Sequence, residues 1–200
     1  MFTHFDFRRR RTIFTLHPGE HLVTAENVII ATVLGSCVGV AMWDREREVG
    51  GLNHFMLPGS INTKAYYLSD SGKYGMYAME LLINDFLKGG SRRRNLVAKV
   101  FGGGSVIRGT DGLPANRAIP DSNIDFAFAY LETEGIPVER SDVGGNHGRK
   151  IIYFPREFRV LVKPISGGLI TSVVKEETEH LEKISHANPG HGEITLFTKP

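Results

Sequence analysis

Val28-Ile29-Ile30-Ala31-Thr32-Val33-Leu34-Gly35-Ser36-Cys37-Val38-Gly39-Val40-Ala41-Met42-Trp43 is the longest mostly apolar run in the chain. Its β-branched, nearly continuous apolar character on either side of Gly35-Ser36 predicts two strands, 28–34 and 38–43, each buried on both faces and joined by a small-residue turn. The run is too short to span a bilayer, is broken by Thr32, Gly35 and Ser36, and leads straight into Asp44-Arg45-Glu46-Arg47-Glu48. Cys37, the one cysteine among 200 residues, stands in that turn.

Outward from this pair, residues 49–57 read as a third strand carrying His54, with Pro58-Gly59 as its stop. Met76, Met79, Ile83 and Phe86, joined by Leu82 and Leu87, recur at helical spacing, and Gly89-Gly90 ends that helix. Residues 96–101 form a short strand that runs into Gly102-Gly103-Gly104-Ser105. Asp121 or Ser122 can cap a second helix with Ile124, Ala127, Phe128 and Leu131 as its apolar face. Strands are expected at 138–143, 150–154 and 158–162, the first two separated by Gly144-Gly145-Asn146-His147-Gly148-Arg149. Residues 1–25 read as an N-terminal arm and lead-in whose first dozen residues are flexible, 26–165 as the catalytic domain, and 166–200 as a partly ordered tail. A short helix carrying Glu176, Glu177, Glu179 and Glu182 is expected in that tail.

Composition excludes several classes of function. With 41% hydrophobic and 23% charged residues the chain fits one globular domain with a sizeable core. A single cysteine rules out an internal disulfide and multi-cysteine zinc or iron–sulfur sites, and a free thiol is best kept in a reducing cytosol, so a cytoplasmic location is expected. Residues 1–11 are charged and lack the apolar stretch of a signal peptide, so no targeting or membrane insertion is expected. A net charge of +2 is too mild to imply nucleic acid, and the clusters Arg8–Arg11 and Arg92–Arg94 read as a solvated arm and a polar loop. His180, His186 and His191 lack the spacing of a helical metal pair, and no metal is expected. Gly102-Gly103-Gly104 has neither a Walker ending nor a dinucleotide pattern, so it reads as a kink or a close chain approach, or as part of the mouth of the cysteine site. No cofactor is expected.

Cys37 and His54 are the best candidates for chemistry. A lone cysteine is often just a small hydrophobe. Gly35 and Ser36, however, place this sulfur at a bend where backbone N–H groups near Ser36 and Cys37 can converge on an oxyanion, and His54 lies on the next extended segment. His147, in a glycine-rich turn, is less well held for proton transfer and ranks below it.

Four stretches carry a resemblance to the CheD family, the chemoreceptor glutamine deamidases of bacterial chemotaxis: Leu34 to Val38, His54 to Pro58, Val100 to Gly103, and Gly144 to Ile151. The resemblance implies an α+β fold of packed β-sheets flanked by helices, layered α/β/β/α, as in a CheD-like cysteine hydrolase. It implies a Cys-His-Thr site of Cys37, His54 and a threonine, for which Thr32 is the candidate. In the family pattern that threonine falls at the position of Ala31, and because strand side chains alternate, a one-residue offset turns Thr32 away unless the strand is shifted. The implied substrates are glutamines on the cytoplasmic helical bundle of methyl-accepting chemotaxis receptors, converted to glutamate, and a CheC-type phosphatase is an implied partner. The rival reading is a CheD-like binding module that docks on receptors or on such a partner without chemistry.

Overall fold

A computed structural model describes residues 1–59, 61, 66–106, 118–165 and 168–186. The strands are β1 (Phe2–Asp6), β2 (Arg11–Thr15), β3 (His21–Thr24), β4 (Ile29–Leu34), β5 (Val38–Asp44), β6 (Val49–Asn53), β7 (Leu96–Gly102), β8 (Val138–Val143), β9 (Gly148–Phe154) and β10 (Arg159–Ile165). The helices are α1 (Asp70–Lys88), α2 (Ala118–Thr133) and α3 (Gly168–His186).

Two mixed five-stranded sheets result, one in the order β1-β2-β4-β9-β10 and the other β3-β6-β5-β7-β8. The apolar run of residues 28–43 is the point where the chain passes from one sheet to the other. β4 lies in the first sheet between β2 and β9, with Thr32 opposite Ile151, while β5 lies in the second between β6 and β7. Both strands are almost wholly buried, as continuous apolar runs at sheet centres must be.

The sheets pack face to face around Ile30, Leu34, Cys37, Ala41, Leu52, Phe101, Ile151 and Tyr153. A second core, with Val40, Met42, Phe55, Met79, Ile83, Phe86, Phe126 and Tyr130, fills the space between the second sheet and helices α1 and α2. Helix α1 begins where Ser69 accepts a hydrogen bond from Gly72 N at 3.1 Å and ends at Gly89, followed by Gly90 at φ +91°. The whole is the expected α+β arrangement of packed sheets flanked by helices.

Several boundaries differ from expectation. The first dozen residues are not a flexible arm: β1 and β2 form an exposed antiparallel hairpin, whose turn is set by Asp6 accepting from Arg8 N at 2.8 Å and Arg9 N at 3.0 Å. The third strand stops at Asn53, so His54 lies one residue beyond it, before a bridge between Val38 and Phe55. Helix α2 starts at Ala118, which puts Asp121 in its first turn and Ser122 just after it, rather than at its cap. The short helix of the tail is 19 residues long, and the remainder of the tail, including His191, lies outside the described residues. No helix among the described residues is long and apolar enough to cross a membrane.

Candidate active site

Cys37 is fixed by three chain segments that meet at its turn. Gly103 N donates to Cys37 O at 2.7 Å, and Gly104 N donates to Gly35 O at 2.7 Å. The glycine run is therefore a close chain approach: Gly102 has φ +106°, and a Cβ there would stand 2.2 Å from Cys37 O. Asn123 on α2 supplies the third hold, donating from Nδ2 to Ser36 O at 2.9 Å while its Oδ1 accepts from Leu57 N at 2.7 Å. This buried amide ties the cysteine turn to the segment just past His54. In the sequence it resembles any polar residue of a first helical turn.

His54 is held by its own backbone, which donates to Glu20 O at 2.9 Å and accepts from Gly19 N at 2.7 Å. Its ring is buried between the sheets, with Nδ1 2.8 Å from Thr32 Oγ1. Thr32 Oγ1 in turn lies 2.9 Å from Leu16 O. A carbonyl can only accept, so the threonine hydroxyl donates to Leu16 and accepts from His54 Nδ1–H. This chain fixes the tautomer and leaves the Nε2 lone pair free; Nε2 has no hydrogen-bond partner among the described residues. Thr32 shares the inter-sheet face with Ile30 and Leu34, whereas Ala31 alternates onto the other face of β4 with Ile29 and Val33. Asn53 does not reach the ring: its side chain binds Val40 N and the Ala78 carbonyl.

A ring nitrogen of His54, the Cys37 Sγ and a carboxylate oxygen of Glu177 lie within 4.8 Å of one another. His147 does not belong to this cluster; it sits in the β8–β9 turn, where its carbonyl accepts from Arg149 at 3.2 Å. Glu177 lies on the tail helix, and α3 carries it into the interior, where it is 2% exposed. Its Oε1 accepts from Gly35 N at 2.8 Å and Cys37 N at 3.1 Å. Its Oε2 accepts from Ser36 N at 2.9 Å and Ser36 Oγ at 2.7 Å. The spacing of Val173, Glu177 and Leu181 is the one sequence signal that could have placed this carboxylate inward.

Burial and then the Glu177 charge push the Cys37 thiol well above its ordinary pKa. Burial draws the His54 imidazole down to about 4, against an opposing pull from Glu177 and Glu176. Thiol and imidazole are therefore both neutral, with one proton on sulfur and a vacant lone pair on Nε2. A thiol, an imidazole and a carboxylate are also donors that zinc accepts. Here, though, the four hydrogen bonds use the carboxylate's roughly four lone-pair sites, so Glu177 has none to offer a cation, and the two remaining groups are fewer than zinc sites use. The cradle is built for an anion.

Residues 56–164 match the family described as CheD chemotactic sensory transduction. The matched segment begins just past His54 and leaves Thr32, Cys37 and His54 outside it. A Herminiimonas arsenicoxydans protein named "Probable chemoreceptor glutamine deamidase CheD" is 42% identical, over 90% of this chain and 87% of its own length. Relatives of the same name from Cupriavidus metallidurans and, as CheD 1, from Shewanella oneidensis are 42% and 39% identical, over 98% and 97% of this chain and 89% and 92% of theirs. Among solved structures, the Bacillus licheniformis hypothetical protein YfiH shares 18% identity over 63% of this chain and 49% of its own, with a TM-score of 0.37.

Proposed function

The chain belongs to the CheD family, and from that membership we propose that it is a protein-glutamine deamidase of the cytoplasm, converting chosen glutamines of methyl-accepting chemotaxis receptors to glutamate. The observation that carries this reading is the relay from Leu16 O through Thr32 to His54, whose ring lies within 4.8 Å of a thiol in a turn that points three consecutive N–H groups at one spot.

The chemistry follows from the groups present. Cys37 Sγ attacks the carboxamide carbon as His54 Nε2 takes the thiol proton, and the N–H groups of Gly35, Ser36 and Cys37 stabilise the oxyanion. The C–N bond breaks, and His54 returns the proton to departing ammonia. Water, deprotonated by the same nitrogen, then opens the thioester to a carboxylate and restores the thiol. The balance is amide plus water to carboxylate plus ammonium, the acid's proton passing to the ammonia, so no cofactor is required. Thr32 holds the ring in the productive tautomer throughout.

Incubating the protein with a receptor's cytoplasmic fragment and mapping peptides by mass spectrometry tests the reading. Conversion of particular glutamines by the wild type, and none by a folded Cys37→Ala variant, is expected; equal conversion by Cys37→Ala would sink the mechanism. The sealed thiol favours one rival, a module that docks on receptors or on a CheC-type partner without turnover. Restoration of chemotaxis by Cys37→Ala would support that rival.

A further inference from the structure

We propose that α3 is a built-in product mimic, with Glu177 seated where the newly made glutamate carboxylate would lie, so that a receptor helix must displace α3 before Cys37 can react. The identity of the displaced ligand rests on the deamidase reading; the plug itself does not.

Val173 and Glu177 are the buried residues of α3, with His180 and Leu181 among its half-buried ones, and Glu177 is the one buried carboxylate of the helix. Packing alone would favour an apolar residue there, because burying a carboxylate is costly unless it is fully hydrogen-bonded. Here it is, and every donor belongs to the cysteine turn: three successive backbone N–H groups and the Ser36 hydroxyl. The cradle is also shaped for this occupant. A Cβ on Gly35 would stand 2.8 Å from Glu177 Oε2, so a residue larger than glycine would push the carboxylate out. Flanking contacts are light: Glu176 reaches His17, His180 Nε2 lies 3.4 Å from Tyr74 Oη, and Leu181 packs on the inter-sheet core.

The chemistry of the occupant suits a plug. Four donors match a carboxylate best; a carboxamide keeps the Gly35 and Cys37 N–H bonds through its oxygen but sets its NH₂ against the Ser36 N–H, so it seats less tightly than the product. A carboxylate carbon also resists thiolate attack, so Glu177 occupies the site without being consumed. While seated, it covers the oxyanion donors and adds its negative charge beside the thiol.

This arrangement makes a specific prediction for Glu177→Gln. The plug becomes a substrate held in cis: Sγ bonds to the side-chain carbonyl carbon, ammonia leaves with the proton from His54, and water releases the thioester as a glutamate side chain. Purified Glu177→Gln protein is expected to carry glutamate at position 177, and the Cys37→Ala/Glu177→Gln double variant to keep glutamine, both read by peptide mass spectrometry. A second readout needs no substrate. Iodoacetamide should alkylate the single thiol about tenfold faster or more in Glu177→Ala and in Leu181→Lys, the latter loosening α3 without touching the cradle, with native circular dichroism in both. Folded Glu177→Ala and Leu181→Lys proteins that alkylate at the wild-type rate would overturn the plug. Faster alkylation in those two variants, with the glutamine of Glu177→Gln left unconverted, would uphold the plug and count against the deamidase reading.

Discussion

At the scale of single residues, the decisive matter is which side chain orients His54. Alternation along β4 could not settle this from sequence, because the strand is buried on both faces and Ala31 and Thr32 both lie in apolar surroundings. Parity is fixed only by the partner sheet, which takes Ile30, Thr32 and Leu34 inward. The hydroxyl both donates to Leu16 and accepts from the ring. Thr32→Val should therefore lower kcat by roughly tenfold to a hundredfold with little change in KM, well short of the loss in Cys37→Ala. Thr32→Ser, which keeps the hydroxyl, should recover most of it. Steady-state kinetics on a receptor fragment checks this, and equal activity of the valine variant would remove Thr32 from the relay.

Among the elements, those with unambiguous apolar periodicity were legible. β4 and β5 announce themselves as doubly buried strands, and α1 by its stripe from Met79 to Phe86. Elements whose polar residues serve distant partners were misread. Ser122 looks like a cap residue, but it and its neighbour Asn123 bind Ile61 N, Leu57 N and Ser36 O, and α2 begins earlier. Likewise, the glutamates of α3 share one charge and differ only in the face they occupy. The end of β7 carries a testable constraint. Gly102 pairs with Val38 at φ +106°, and a Cβ there meets Cys37 O at 2.2 Å, a backbone atom that cannot swing aside. Gly102→Ala should cost about 2 kcal/mol or more in urea unfolding and reduce turnover disproportionately. A variant with wild-type stability and turnover would show that the cysteine turn is not fixed by this contact.

Over the whole molecule, burying the site has a cost that depends on pH. His54 has an ordinary pKa of 6.5 and is drawn down to about 4 in the fold by burial; Glu177 and Glu176 pull it upward, His180 downward, and the Cys37 thiol and Thr32 hydroxyl beside it are neutral. Below about pH 6.5 the unfolded chain binds a proton that the native ring refuses, so stability is lost as pH falls from 6.5 toward 4. Urea midpoints measured across that window should fall more steeply for the wild type than for His54→Asn, which has no proton to gain; parallel slopes would contradict a neutral buried imidazole. The crossing of the chain between sheets at Gly35-Ser36 has a further consequence. Thr32 belongs to one sheet, His54 follows a strand of the other, and Cys37 stands on the bridge between them, so the 2.8 Å contact of hydroxyl and imidazole gauges how closely the two layers are clasped. A gap between them wide enough to admit one water would silence the protein while leaving each sheet intact.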